Sequence, residues 1–346
     1  MQARPKRDAS RPGRAGSRGF VLVMTLWIVA AITVAVGFFA LWLDSAVDAV
    51  RELQGGVRAE LATHSAEQTL RYLLVAYPLA PRGLLLGNGD EAERELFFDD
   101  RVYRGADEVR FSVQDESGLI SLSAVSRDRL SYLLGLLGVA GPRRGPLIDR
   151  LLDYQDRDDL AHLNGAERPD YQRAGKEGPP NRLLWTPMEA VRVLGWEGEA
   201  SLWADPRFMQ YTTTAWLGFP NMNTAPEEVL STVPDIGPAG AERIVAARQQ
   251  APFHSLAEVH RQTGIDIRED PLDISFLPTG GVRLTLWYNG GSRMRQVHLS
   301  LTPRADESGP WRTEYRLDLP LFEQYAAAPS HPVPTEILQT PLSPGP

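Results

Sequence analysis

The sequence predicts an α+β protein: a long N-terminal helix packed on an antiparallel sheet, with a large all-helical domain inserted into that sheet. Three observations carry this expectation. Residues 20–43 form an uncharged apolar run whose helical spacing continues, in amphipathic form, to Tyr77. Strand-like alternation of apolar and polar residues appears on either side of a central block, around residues 95–122 and again after residue 281. Within that block the apolar spacing is helical.

Taken in order, residues 1–19 are a basic leader in which Arg4, Lys6, Arg7, Arg11, Arg14 and Arg18 stand against Asp8, a net charge of about +5. The 24-residue apolar run that follows is long enough, at ~1.5 Å per residue, to cross a hydrocarbon core of roughly 30 Å. It is longer than the apolar region of a cleaved secretory signal, and no clear small-residue cleavage site follows it. The basic side should remain cytoplasmic, which places almost everything after Leu43 across the membrane. Ala46, Val50, Leu53, Val57, Leu61, Leu70, Leu73 and Tyr77 extend the helix over 20–77, softened at Gly55-Gly56 and stopped by Pro78.

A first sheet segment is expected over 78–123. Glu95-Leu-Phe-Phe-Asp-Asp100 is one strand candidate and Val109-Arg-Phe-Ser-Val113 another; Asp115-Glu-Ser-Gly118 reads as a turn, with Leu119-Ile-Ser-Leu122 as the returning partner. The helical block spans 124–272 and carries a weak duplication. Ser121-Leu-Ser-Ala124 opens the first unit and Thr186-Pro-Met-Glu189 closes it; Asn221-Met-Asn-Thr-Ala225 opens the second and Ser255-Leu-Ala-Glu258 closes it. Each closing segment is a capping box, in which Ser or Thr and the Glu three residues on satisfy two free backbone amides. A second sheet segment over 273–325 begins with Val282, Leu284, Leu286 and Tyr288, turns at Asn289-Gly290, and continues through Val297, Leu299, Leu301 and then Trp311 to Leu317. Six prolines in 326–346 predict an extended, mobile tail.

Composition narrows the function. The chain carries a net −8, so with the leader near +5 the remainder holds about −13, which argues against a surface for duplex phosphate. Cysteine is absent, so no disulfide forms. No catalytic constellation is present. The six histidines (His64, His162, His254, His260, His298 and His331) show no metal spacing or nucleophile partner, there is no Gly-rich phosphate loop, and Asp115-Glu116 sits in a turn signal that points to solvation. The chain is not expected to be an enzyme.

Gly19-Phe20 between a basic leader and a long apolar helix resembles the signal of type IV pilin-like proteins. The resemblance implies cleavage between Gly19 and Phe20 by a prepilin peptidase, with methylation of the new amino terminus. More specifically, the chain resembles the K-type minor pseudopilin of type II secretion, whose pilin-like sheet holds a large helical insertion. Besides Arg18-Gly-Phe20, the stretches that carry it are Asp115-Glu-Ser-Gly-Leu-Ile-Ser-Leu122, Leu147-Ile-Asp-Arg-Leu-Leu-Asp-Tyr-Gln-Asp156 and Asn221-Met-Asn-Thr-Ala-Pro226. Most pilin-like subunits have Glu as the fifth mature residue; here it is Met24. A carboxylate in lipid or in a filament core is costly unless paired, so a subunit with none above it gains nothing from the acid. Met24 therefore suits a tip subunit; the simpler reading is a lipid-facing residue of a signal anchor. The resemblance implies a minor pseudopilin that initiates or caps a periplasmic pseudopilus, anchored by one span in the inner membrane. Its partners would be other minor pseudopilins, the prepilin peptidase, the inner-membrane secretion platform and the lipid bilayer.

Two further motifs each have two readings. Val233-Pro-Asp-Ile-Gly-Pro-Ala-Gly-Ala-Glu-Arg-Ile244 resembles a helix-hairpin-helix, and a membrane-anchored periplasmic DNA-binding module is the alternative function. Asp235 stands where that motif has its first Gly, which opposes phosphate and favours a purely structural turn, so no nucleic acid is expected. Asp153, Asp156, Asp158, Asp159 and Glu167 form an acidic loop that is either solvated or a Ca²⁺ site. The resemblance implies that calcium can bind in the exported region, which leaves both readings open, and the spacing is not that of an EF-hand.

Overall fold

The computed structural model describes residues 18–86, 95–124, 126–216, 220–268, 274–306 and 309–339. The expected leader lies outside them, apart from Arg18 and Gly19 at the start of the first helix. The chain divides into two compact units, 1–58 and 59–346.

Helix α1, Arg18–Ala76, runs through both units, and Gly55-Gly56 does not interrupt it. It ends two residues short of Pro78, whose ring disfavours helical backbone in the residue before it. In the first unit its large apolar side chains from Phe20 to Val57 are exposed, and the stretch is long and apolar enough to cross a membrane. In the second unit Leu70, Leu73 and Leu74 are buried against a sheet.

Short strands β1 (Leu79–Ala80), β2 (Gly83–Leu85) and β3 (Glu95–Phe97) make a small antiparallel sheet. Then come β4 (Asp99–Arg104), β5 (Val109–Asp115), a single 3-10 turn at Glu116–Gly118, and β6 (Ile120–Ser121). Helices α2 (Arg127–Leu136), α3 (Gly141–Gln155), α4 (Arg168–Arg173), α5 (Ala200–Ala204) and α6 (Arg207–Tyr211) lead to β7 (Thr212–Thr213). After α7 (Glu227–Leu230), α8 (Gly237–Gln250) and α9 (Leu256–Thr263) the long strands β8 (Gly281–Tyr288), β9 (Arg293–Asp306) and β10 (Gly309–Pro320) follow. Helix α10 (Glu323–Ala327) and β11 (His331–Pro332) complete the chain.

The main sheet has the order β10-β9-β8-β5-β4-β11, antiparallel throughout except for β11. Strand β5 pairs with β8, Val109 opposite Tyr288, so all of α2 to α9 lies between two hydrogen-bonded neighbours. One face of the sheet meets α1 through Phe111, Val113, Val282, Leu284, Leu286, Val297 and Leu299. The helices hold a separate core around Leu133, Leu151, Trp196, Phe208, Leu230, Ile244 and Phe253.

In the two units read from the sequence stand the helix pairs α2–α3 and α7–α8, and their closing segments are the 3-10 turn Pro187–Arg192 and α9. Both closing segments share one contact: Glu189 accepts from the amide of Trp185 at 2.9 Å and Glu258 from that of His254 at 2.8 Å. The two capping boxes do not form as expected. Ser255 Oγ accepts from the Glu258 amide, but Thr186 makes no such bond, because Pro187–Arg192 is a 3-10 rather than an α-helix. In both, the Glu caps one residue earlier than a capping box requires.

Three expectations are corrected. Strand β6 is not the partner of β5; it pairs in parallel with β7, 92 residues on, because the 3-10 turn carries the chain out of the main sheet. The tail over 326–346 is not a free extended segment as far as Gln339. Tyr325 packs on Trp287, β11 adds to β4, and Val333 and Leu338 enter the core under α1. Finally, the apolar stripe read along α1 is not one face. Leu61 and Leu70 are nine residues, two and a half turns, apart and point to opposite sides.

Candidate functional site

Three parts of the molecule bear on function: a bare helix face, a buried junction and an acidic loop. On the second-unit part of α1, Leu61, His64, Gln68, Tyr72 and Val75, continued by Leu79, are exposed at steps of three or four. That is one continuous stripe opposite the buried Leu70 and Leu73, the pattern of a helix that packs on both sides. In the first unit the expected processing residues Gly19 and Phe20 lie in the first turn of α1 and Met24 is 54% exposed.

The junction joins the sheet to the helical block and brings together the stretches that carried the sequence resemblance. Asp115, fully buried at the end of β5, accepts from the amide and hydroxyl of Ser117 (3.1 and 2.6 Å), from Asn221 Nδ2 at 2.8 Å and from Thr224 Oγ1 at 2.7 Å. Burial pushes its pKa up; the four donors oppose that. At Gly118 a Cβ would press on the backbone of Ala225 at 3.0 Å, so the close approach of the two stretches needs glycine there. Gln155, the last residue of α3, donates to the Leu122 carbonyl at 2.8 Å. Glu116 is buried as well, which corrects the expectation of a solvated carboxylate pair. It accepts from Thr213 Oγ1 at 2.9 Å and contacts His298 Nδ1. Burial alone would raise Glu116, but His298, Thr213 and the Arg283 guanidinium hold its carboxyl below the ordinary range. Arg283 itself bonds Asp100 Oδ2 at 3.1 Å and the Gln210 carbonyl at 2.9 Å. These partners are far apart in sequence, so neither spacing nor periodicity points to them.

The acidic loop begins at the end of α3. Asp153 is buried and accepts from the amides of Ala166 (2.7 Å) and His162 (3.2 Å), with His162 Nδ1 against its Oδ1. A Cβ at Gly165 would collide with its Oδ2, so the loop closes tightly on this carboxylate. Asp153, Asp156 and His162 each offer a ligand atom within 4.8 Å of the others. His162 was not expected in the cluster; its placement nine residues after Asp153 is made by the loop. Glu167 is 3% exposed and touches the Asp170 amide as a loose cap of α4, yet neither carboxylate oxygen makes a full hydrogen bond, and Asp156 Oδ1 is similarly buried and unpartnered. Burial pushes Glu167 up to about 7, and Asp153, Asp156, Asp159 and Asp158 add to it. Asp158 and Asp159 are exposed, Asp158 accepting from the Leu160 amide at 2.9 Å. Orphaned buried carboxylates facing other carboxylates are costly without a cation. The ligand atoms that lie together are those of Asp153, Asp156 and His162, with Glu167 near enough to feel both carboxylates; oxygen donors of this kind fit Ca²⁺, with His162 suited to orienting Asp153.

The helix-hairpin-helix-like turn keeps Asp235 at φ 69°, where glycine is favoured, and its carboxylate accepts from the Arg268 amide at 3.2 Å. The turn therefore carries a carboxylate, a charge that opposes phosphate. Among the described residues no arrangement of nucleophile, base and oxyanion donors is apparent.

Residues 220–274, which include that turn, match the family model described as "Type II secretion system (T2SS), protein K". No curated protein matches the sequence. Among solved structures, the fold is similar to a chain in the crystal structure of the GspK-GspI-GspJ complex from the enterotoxigenic Escherichia coli type 2 secretion system. The TM-score is 0.51 at 15% identity, covering 78% of this chain and 98% of that one, a likeness of fold. The resemblance to the K-type protein of type II secretion, first carried by the sequence motifs, is thus borne out by a family match over residues 220–274 and by the fold of most of the chain.

Proposed function

We propose that this chain is a minor pseudopilin of type II protein secretion, and that it is the tip subunit that initiates or caps the periplasmic pseudopilus exporting folded proteins across the outer membrane. The observation that carries the proposal is the bare stripe from Leu61 to Val75 on a helix whose other side is already packed. Such a stripe is suited to the long helix of another subunit. The solved relative was crystallised with two other proteins of its secretion system, which supports other minor pseudopilins as partners. Met24 supports the terminal position, since a subunit with nothing above it needs no acid there. The apolar run of α1 serves as the single inner-membrane anchor, with the rest of the chain in the periplasm; the prepilin peptidase, the secretion platform and the lipid bilayer are the remaining partners.

Processing is testable by intact-mass analysis of the protein purified from membranes that contain the peptidase. The mature chain is expected to begin at N-methylated Phe20; a chain retaining Met1 or Gln2 would remove the pilin-like reading and leave an ordinary signal anchor.

The acidic loop is proposed as a structural Ca²⁺ site. Asp153, Asp156 and Glu167 would hold the ion, which supplies the positive charge their orphaned oxygens lack. Millimolar Ca²⁺ is expected to raise the melting temperature over that with chelator by at least about 4 °C, since a ligand at 100 times its Kd stabilises by ~2.7 kcal/mol. Glu167→Gln should abolish the shift. Identical melting curves with and without the ion would exclude the site.

A further inference from the structure

Beside the acidic loop lies a cavity of about 700 Å³ with a different charge character. Its walls come from the end of α3, the start of α4, the turn at Lys176 to Pro180, and the 3-10 segment Pro187–Arg192. Four cations line it: Arg168, Lys176, Arg182 and Arg192. Two of them are already used. Lys176 pairs with Glu197, and Arg182 forks onto Glu189 at 2.8 and 3.2 Å while its guanidinium lies 3.9 Å from the Trp185 ring centroid. Glu189 is itself saturated, accepting also from Tyr154 and the Trp185 amide.

Arg168 and Arg192 are different. Both are exposed, and among the described residues neither has a carboxylate or carbonyl partner, as is also true of Arg157, whereas Arg127, Arg143, Arg173 and Arg207 of the same block pair with acids. Carboxylates outnumber Lys and Arg by 44 to 36 in this chain, yet these two arginines face the concavity paired only with water. The exposed Glu177 is the one further carboxylate in the lining, which leaves the cavity net positive within an acidic chain. Its volume falls within the range of ligand sites, roughly 300–1,000 Å³, and is far larger than an inorganic anion requires. Pro179, Pro180 and Val191 supply an apolar wall of fixed shape beside the charges.

We propose that this cavity binds a carboxylate-bearing peptide segment of a partner polypeptide, with Arg168 and Arg192 taking its carboxylates and the Pro179, Pro180 and Val191 wall covering its aliphatic atoms. Arginine is suited to this because its planar fork meets a carboxylate with two parallel hydrogen bonds. The chain then carries two separate recognition surfaces, a helix face and a peptide site on the helical block; the second does not depend on the identity proposed for the first.

The test uses the full-length protein in nanodiscs of zwitterionic lipid and two labelled, end-capped pentapeptides, Ala-Glu-Val-Glu-Ala and its Gln counterpart, at matched ionic strength. The Glu peptide is expected to bind at least about tenfold more tightly than the Gln peptide. The double variant Arg168→Gln/Arg192→Gln should lose that advantage, while Arg104→Gln/Arg261→Gln, which removes the same charge elsewhere, should keep it within about twofold. Equal binding of the two peptides, or an equal loss in both double variants, would overturn the site. So would displacement of the peptide by an equal concentration of inorganic phosphate, which would make it a small-anion pocket.

Discussion

Asp115→Ala is expected to lower the melting temperature of the protein by about 10 °C, from a loss of roughly 3–5 kcal/mol. The size follows from what the carboxylate does. It is fully buried and receives four hydrogen bonds, two from Ser117 in its own turn and two from Asn221 and Thr224 about a hundred residues away. Alanine leaves the Asn221 amide and the hydroxyls of Ser117 and Thr224 facing one another with no acceptor, each unmade bond costing about 1–3 kcal/mol. Relaxation and water recover part of that sum. Asp115→Asn retains one acceptor oxygen but turns an N–H₂ toward donors, so a smaller loss of about half is expected. Differential scanning calorimetry of both variants checks this. A shift below about 2 °C for the alanine variant would mean that the junction does not hold the helical block to the sheet.

The second large effect concerns assembly rather than folding. Leu61→Glu/Tyr72→Glu places two charges on the bare stripe of α1. Both side chains are exposed, at 64% and 58%, so stability should change by no more than about 0.5 kcal/mol per site. In a helix–helix interface the same charges would be desolvated without partners, and a central aromatic such as Tyr72 is the kind of residue that carries most of the binding energy. Co-purification with other minor pseudopilins is expected to fall by at least about tenfold. A variant that melts like the wild type and still co-purifies fully would show that this face is not the contact.

Much of this architecture is legible in the sequence because it is local. The uncharged run and its helical continuation give α1. Alternation gives β5, β8, β9 and β10, and Asn289-Gly290 gives the turn between β8 and β9. What is not legible is set by partners distant in sequence. Arg283 looks like the solvent face of a strand until Asp100, the Gln210 carbonyl and Tyr325 are brought over it. Glu116 looks like a turn residue until His298 meets it, 182 positions later. Val333 and Leu338 are two apolar residues in a proline-rich tail, and only the exposed edge of β4 gives them a place to dock. The stripe on α1 fails for a different reason. Spacing of three and four residues is satisfied by two opposite faces in succession, and a list of apolar positions does not show that the phase turns by half between Leu61 and Leu70. In the acidic loop, composition marks the carboxylates, but which of them are orphaned and which are solvated depends on how Gly165 and Ala166 close over Asp153.

Cysteine cross-linking reads out whether the free face of α1 is shared with other minor subunits at a filament end. The chain has no cysteine of its own, so Leu61→Cys and Val75→Cys each place a single thiol on that face. In membranes that contain the whole secretion apparatus, disulfides are expected to single cysteines on the helices of other minor pseudopilins, with no ladder of self-linked chains. Self-linked ladders, or thiols that capture none of those subunits while the apparatus still secretes, would contradict it.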